Sequence, residues 1–170
     1  MTTTRRFPGG KAAVTPYVVV KGAARFLEFV EETFEVQRSF GVPNEDGTLG
    51  HAEITIDGSV LMTFDARPDW PDTPAFLSVF VADVDAVLAR ALAAGATLLT
   101  PMMESRISGD RGCRITDPLG NIWWPQTPLH EVDPAELEDV FSDPDELAKM
   151  KVAVDTLVDE MHRRADLLRS

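Results

Sequence analysis

Hydrophobic positions along the chain switch between a spacing of two residues and a spacing of three or four, which separates strands from helices. The β-branched run at 14–20 predicts a strand, and the apolar residues spaced along 23–34 predict an amphipathic helix. Three more extended runs follow at 36–42, 51–56 and 60–65. The first part of the chain therefore predicts the order β-α-β-β-β.

The same order returns after a joint rich in Pro and Asp at 67–74. Such self-similarity indicates two copies of one supersecondary unit. The second copy has a strand, a helix and three strands, at 76–81, 84–93, 97–103, 112–116 and 122–126. One helix per unit covers only one face of its sheet. We therefore expect an α+β fold in which two tandem β-α-β-β-β modules, 13–66 and 75–128, form curved, mostly antiparallel sheets around a cleft.

The two ends of the chain do not fit the repeat. Residues 1–12 show no periodic apolar pattern and predict a flexible leader. Residues 129–170 predict an acidic helical tail, because Asp133-Pro134 and Asp143-Pro144 are typical helix starts. The second of these helices carries an apolar stripe, formed by Leu147, Met150, Val154, Leu157, Met161, Ala165 and Leu168. The stripe is expected to pack on its own domain or on a second copy, and the alternative is a different protein partner.

Charge and composition narrow the classes of partner. The chain of 170 residues has a formal net charge of −12, and 131–170 hold twelve carboxylates against five Lys or Arg. Such a charge repels nucleic acids and anionic membranes, and no apolar run approaches the length of a membrane span. The single Cys113 cannot form a disulfide within the chain, and no charged-then-apolar leader opens the sequence. We expect a cytoplasmic protein that binds neither nucleic acid nor membrane.

Four short stretches, taken with the double β-α-β-β-β order, resemble the vicinal oxygen chelate superfamily of glyoxalases, bleomycin resistance proteins and extradiol dioxygenases, and most closely its PhnB-like branch. They are Val14-Thr15-Pro16-Tyr17, His51-Ala52-Glu53, Asp83-Val84-Asp85-Ala86, and Gly109-Asp110-Arg111 with Asp117-Pro118-Leu119-Gly120. Their order and spacing carry the resemblance, since no single stretch is specific. The resemblance implies that each module is a curved four-stranded sheet and that two modules enclose a cleft.

The resemblance also implies where a divalent metal would be held. Enzymes of this superfamily typically place the ligands near the start of each module's first strand and on its last strand, which here are the positions of Thr15, Met62, Phe76 and Trp124. A hydroxyl, a thioether and two aromatic rings offer neither charge nor imidazole. We therefore expect no metal and no other cofactor.

Strand parity predicts which side chains face the cleft. In the third strand Ala52, Ile54 and Ile56 belong on the helix side, so His51 and Glu53 face inward, about 7 Å apart along the strand. The same rule, with the symmetry of the repeat, predicts a ligand-binding lining of Thr15, Tyr17, His51, Glu53, Met62, Phe64, Phe76, Ser78, Phe80, Arg114 and Trp124. Aromatic and thioether walls with a few polar groups are typical of a site for a flat organic ligand.

The same residues allow two structural interpretations. Phe76, Phe80 and Trp124 could collapse into a core that binds nothing. Glu53 and Arg114 could form an internal ion pair without any role in ligand binding.

Three functions remain open. The first is a homodimeric protein that binds a small aromatic or amphipathic compound in the cleft without a metal. The second is a lyase, isomerase or dioxygenase of the same superfamily that uses His51 or Glu53 as a catalytic group, or a metal site in another register. The third is a protein-interaction module that acts through the C-terminal helix.

Overall fold

The computed structural model describes residues 7–169 and confirms the double β-α-β-β-β order. The first module has β1 (Tyr17–Val20), α1 (Ala23–Phe34), β2 (Arg38–Pro43), β3 (Leu49–Ile56) and β4 (Ser59–Asp65). The second module has β5 (Phe76–Phe80), α2 (Val84–Ala93), β6 (Thr97–Ser105), β7 (Asp110–Thr116) and β8 (Ile122–Pro128). The tail has the short α3 (Leu137–Val140) and the long α4 (Pro144–Leu167).

Each module forms one four-stranded sheet, with the orders β1-β4-β3-β2 and β5-β8-β7-β6. The first strand of each module runs parallel to the last, and the other neighbours are antiparallel. The predicted α+β class with mostly antiparallel sheets is therefore confirmed. Two copies of one topology place equivalent strand positions in equivalent places on the two sheets.

The first strand is shorter than the sequence predicted, since β1 begins at Tyr17 instead of residue 14. Its pairing with β4 begins where Tyr17 lies opposite Met62. Thr15 lies before the strand, and its hydroxyl donates to the carbonyl of Ala12, 3.0 Å away. Proline has no N–H to give to a sheet, so Pro16 marks a natural start for the strand.

One apolar core joins the two modules. Alternate residues of β3, such as Ile54, are fully buried on the side that faces α1, as parity predicted. Trp123 of β8 is also fully buried, and its ring lies 6.0 Å from that of Phe26 on α1. Its indole N–H donates to the carboxylate of Asp117, 3.0 Å away. The helix-facing sides of both sheets thus share one interior, and the intervening side chains lie on the opposite faces.

The tail helix α4 lies along β6 and covers part of the second sheet. The side chain of Asp143 caps its first turn by accepting from the N–H of Asp145, 2.9 Å away. The hydroxyls of Thr100 and Thr156 lie 2.7 Å apart, and the N–H of Arg106 donates to Glu146 over 3.0 Å. Polar contacts therefore hold α4 on this sheet.

The predicted apolar stripe of α4 is not the face that packs on the sheet. Glu146 and Glu160 are the buried residues of the helix. Leu147, Met150 and Val154 are 40%, 42% and 53% exposed. The helix turns a polar side toward the sheet, while Met150 and Val154 border the space between α4 and the sheet without close packing. The expected packing on the chain's own domain is therefore wrong for these three residues, and packing of the stripe on a second copy stays a prediction.

Candidate ligand-binding site

Polar side chains on the open face of the first sheet form a continuous hydrogen-bonded chain. Tyr17 Oη lies 2.6 Å from His51 Nδ1, and His51 Nε2 lies 3.1 Å from Glu53 Oε1. Met62 on β4 lies opposite both Tyr17 and Glu53 in the sheet register. Lys11, from the segment before β1, places its Nζ 2.7 Å from Glu53 Oε1. The sheet thus brings together the predicted pair, His51 and Glu53, with two further groups.

The hydrogen bonds and charges among Tyr17, His51, Glu53 and Lys11 determine which of these side chains carry a proton. Hydrogen bonds from Lys11 and then His51 hold the pKa of the Glu53 carboxyl below its ordinary value. Burial, and next the negative charge of Glu53, raise the pKa of the Tyr17 hydroxyl. A carboxylate that accepts from Nε2–H leaves Nδ1 of His51 free to accept from the tyrosine. At neutral pH the arrangement therefore presents a protonated tyrosine beside a histidine oriented by a carboxylate.

Aromatic rings lie beside this series of hydrogen-bonded side chains. Phe64 lies 5.2 Å from Tyr17, and Trp70 lies 6.2 Å from Phe64. Phe40 lies 6.1 Å from the His51 ring and is 53% exposed. Phe40 and Trp70 were missing from the predicted lining, because β2 had received no parity assignment and Trp70 belongs to the linker at 67–74. A tryptophan in an otherwise polar linker is the sequence signal that could have found it.

A cavity of about 240 Å³ lies between α4 and the open face of the second sheet. We call this cavity the tail chamber. Its walls are mostly apolar, and they include Met103, Ile107, Trp124, Met150 and Val154. The side chain of Arg114 bridges the second sheet and α4 here by donating to the backbone carbonyl of Ala153. The tail helix thus turns an open sheet face into a partly enclosed site.

Arg114 lies at the base of the tail chamber and is only 9% exposed. One of its Nη groups donates to the carbonyl of Ala153 on α4. Its guanidinium carbon lies 4.6 Å from the centre of the Trp124 ring and 5.8 Å from that of Phe76. Its Nε is buried and has no hydrogen-bond partner. Burial lowers the pKa of this guanidinium.

The predicted alternative of an ion pair between Glu53 and Arg114 is wrong, since Glu53 pairs with Lys11 and Arg114 binds the tail helix. The alternative of a collapsed aromatic core is also wrong, because Phe76 and Phe80 are 49% and 58% exposed. The first correction has a plain cause: segments outside the repeat, namely the residues before β1 and the tail helix, supply the partners of Glu53 and Arg114.

The side chains predicted to line one cleft form two separate sets, one on each sheet. The first set surrounds His51 on the first sheet, and the second surrounds Arg114 on the second sheet. Ser78 of the second set accepts from Gln126 Nε2, 2.6 Å away, and Phe80 lines a separate pocket beside Leu77. Within residues 7–169, no hydrogen bond or ring contact joins the two sets.

The side chains at the implied metal positions do not fit a divalent cation. The hydroxyl of Thr15 is engaged by a backbone carbonyl, and the ring of Trp124 lies beside a cationic guanidinium. His51 and Glu53 are already bonded to each other and to neighbours. In the described part of the chain, no three His, Cys, Asp or Glu side chains cluster as metal ligands would. The expected loss of the metal stays a prediction that needs a direct measurement.

Two β-α-β-β-β modules with open sheet faces define the class of fold, and the sequence identifies the family. Residues 12–124 match the Glyoxalase/Bleomycin resistance protein/Dioxygenase superfamily. The chain belongs to this superfamily. The Mycobacterium bovis protein Mb0911c, described as uncharacterized, is 34% identical over 141 residues, which cover 76% of this chain and 92% of the relative.

Solved structures share the fold at low sequence identity. TioX from Micromonospora sp. ML1 is 22% identical, with a TM-score of 0.57 over 67% of this chain and 96% of its own. A PhnB protein from Bacillus cereus is 18% identical, with a TM-score of 0.53 over 68% and 98%. The fosfomycin resistance protein FosX from Listeria monocytogenes is 13% identical, with a TM-score of 0.55 over 74% and 97%. No helix in the described residues is long and apolar enough to cross a membrane.

Proposed function

We propose that this protein binds a small aromatic or amphipathic compound and that it does so without the divalent metal of the superfamily's enzymes. The tail chamber is the observation that carries the proposal. It has the size and the mostly apolar walls of a site for a ring system, together with a few polar groups that fix orientation. A cavity of roughly 150 Å³ already accepts benzene, so a chamber of about 240 Å³ has room for a somewhat larger ring.

The chemistry of the donor groups supports binding without a metal. Met62, Phe76 and Trp124 supply apolar and aromatic surface at positions where enzymes of the superfamily hold a metal. These side chains attract flat organic molecules through apolar burial and ring contacts. Ring stacking and apolar burial then replace metal coordination as the basis of affinity.

Two measurements test this function. Protein purified without an affinity tag should contain substoichiometric metal, and a chelator should leave its melting temperature unchanged. In a screen of aromatic compounds, binders should raise the melting temperature and quench tryptophan fluorescence. Trp124→Phe should remove most of the quenching, while Trp70→Phe, in the linker beside Phe64 of the first sheet, should not. Stoichiometric metal, or a broad screen without any binder, would contradict the proposal.

Proton-transfer catalysis on the first sheet is the second candidate, and the bonded order of Tyr17, His51 and Glu53 favours it. The tyrosine would give or take the proton, the histidine would relay it, and the carboxylate would hold the histidine in one tautomer. Any turnover found in a substrate screen should then fall strongly in both Tyr17→Phe and His51→Gln. Activity unaffected by Tyr17→Phe would exclude this role.

We also infer that the protein is a homodimer. Exposed apolar side chains occur on both sheets and on α4, including Tyr17 at 44%, Phe76 at 49% and Leu147 at 40% exposure. Exposed apolar patches of this kind are characteristic of interaction surfaces. Sedimentation of the full chain should show a dimer, and a chain lacking 131–170 distinguishes the surfaces. A dimer that survives this deletion uses the sheets, whereas one that is lost uses α4.

A further inference from the structure

We propose that the ligand of the tail chamber is an organic anion, with an aromatic body between α4 and the second sheet and a carboxylate or sulfonate bound by Arg114. This inference rests on the proposed ligand-binding function and adds the chemical class of the ligand. Two independent observations carry it: the cavity itself, and a buried guanidinium whose Nε has no partner.

The charge of Arg114 is uncompensated within the described chain. Its only hydrogen bond there is to the neutral carbonyl of Ala153, and none of the ion pairs in residues 7–169 includes it. A buried cation without a counter-charge is costly, and the usual remedy is a hydrogen-bonded anion. The free energy lost by burying Arg114 would therefore be recovered when an anionic ligand binds.

The carboxylates that also line the chamber are engaged elsewhere. Asp110 accepts from the hydroxyl of Ser108, 3.0 Å away, and lies four residues from Arg114 on the same strand, about 13 Å along it. Glu146 accepts from Lys149 Nζ over 2.6 Å and from the N–H of Arg106. Neither residue is bonded to Arg114, so no carboxylate of the chamber neutralises its charge.

The aromatic rings beside Arg114 determine how an anion would bind. Trp124 and Phe76 contact the guanidinium through their rings and hold it in place. A guanidinium presents its N–H groups as a planar fork that matches the two oxygens of a carboxylate. The apolar body of the ligand would then extend along the chamber past Met150 and Val154. An anionic head and an aromatic body together match this site.

A pair of fluorescent probes separates the contribution of charge from that of apolar burial. Anilinonaphthalene sulfonate carries a sulfonate, and phenylnaphthylamine has the same ring system without it. Arg114→Met should weaken binding of the anionic probe by about tenfold or more, because a charge-assisted hydrogen bond is lost. The affinity for the neutral probe should change by less than about twofold. Arg25→Met, on the exposed outer side of α1, is the control and should change neither.

A second pair of variants leaves Arg114 in place, in case its replacement unfolds the protein. Val154→Glu puts a carboxylate on the chamber wall as an internal counter-charge, and Val154→Gln has the same size without charge. The anionic probe should bind Val154→Glu much more weakly than Val154→Gln, while the neutral probe binds both alike. Equal binding of the anionic probe to these two variants, or to wild type and Arg114→Met, overturns the anion inference. Failure of both probes to bind wild type overturns ligand binding itself.

Discussion

Two adjacent tryptophans on β8, Trp123 and Trp124, point to opposite faces of the strand. Replacing each with phenylalanine distinguishes a residue of the core from a residue of the ligand-binding site. Trp123 is fully buried and donates to Asp117, so Trp123→Phe loses a hydrogen bond to a charged acceptor, about 1.5–3 kcal/mol. It also weakens the ring contact with Phe26, which adds up to about 1 kcal/mol. Trp124→Phe keeps a ring beside Arg114 and should cost less than about 1 kcal/mol.

Urea unfolding followed by circular dichroism measures both variants against wild type. Trp123→Phe should lower the free energy of unfolding by about 2–4 kcal/mol, which for a chain of this size lowers the melting temperature by roughly 5–15 °C. Trp124→Phe should leave unfolding nearly unchanged and alter only ligand binding. Equal destabilisation by the two variants would refute the assignment of Trp123 to a core shared by both modules and of Trp124 to the chamber.

Three further predictions concern single side chains. Burial raises the pKa of the Cys113 thiol to about 11, so native protein should react with a thiol reagent at pH 8 far more slowly than unfolded protein. Hydrogen bonds from Arg163, together with Arg164, lower the pKa of Glu160 to about 2. The stabilisation of the folded protein by this carboxylate should therefore be full above its ordinary pKa of 4.5 and lost as the pH falls towards 2. In a measurement of the free energy of unfolding against pH, Glu160→Gln should remove this contribution. Asp143→Ala removes the cap of α4 and should cost about 1 kcal/mol in urea unfolding.

Local periodicity predicted most of the fold. The helix-side positions of β3, such as Ala52 and Ile54, are fully buried, as the alternation required. The helices α1 and α2 match the predicted ranges, and all eight predicted strands agree with the structure to within three residues at each end. These features are local, because spacing along the chain determines which side of a strand or helix each side chain faces.

Contacts between distant segments could not be predicted in the same way. Parity placed Glu53 and Arg114 on open faces, but the partner of Glu53 comes from Lys11, in a segment without any periodic pattern. The partner of Arg114 is a backbone carbonyl of α4, at Ala153, which no side-chain pattern marks. Every residue has a backbone carbonyl, so the sequence alone does not show to which carbonyl a buried arginine donates its hydrogen bond.

The tail helix also explains why the predicted stripe was misplaced. Apolar residues at gaps of three and four predict the buried face only when burial of apolar area dominates the packing. Here the packed face is held by hydrogen bonds of Thr156 and Glu146, which need partners once they leave water. Polar contacts fix the register of α4 over the second sheet without filling the space beneath it. The same choice of residues therefore leaves a chamber beside Arg114, with Met150 and Val154 on its wall, while Leu147 and Leu168 stay exposed outside it.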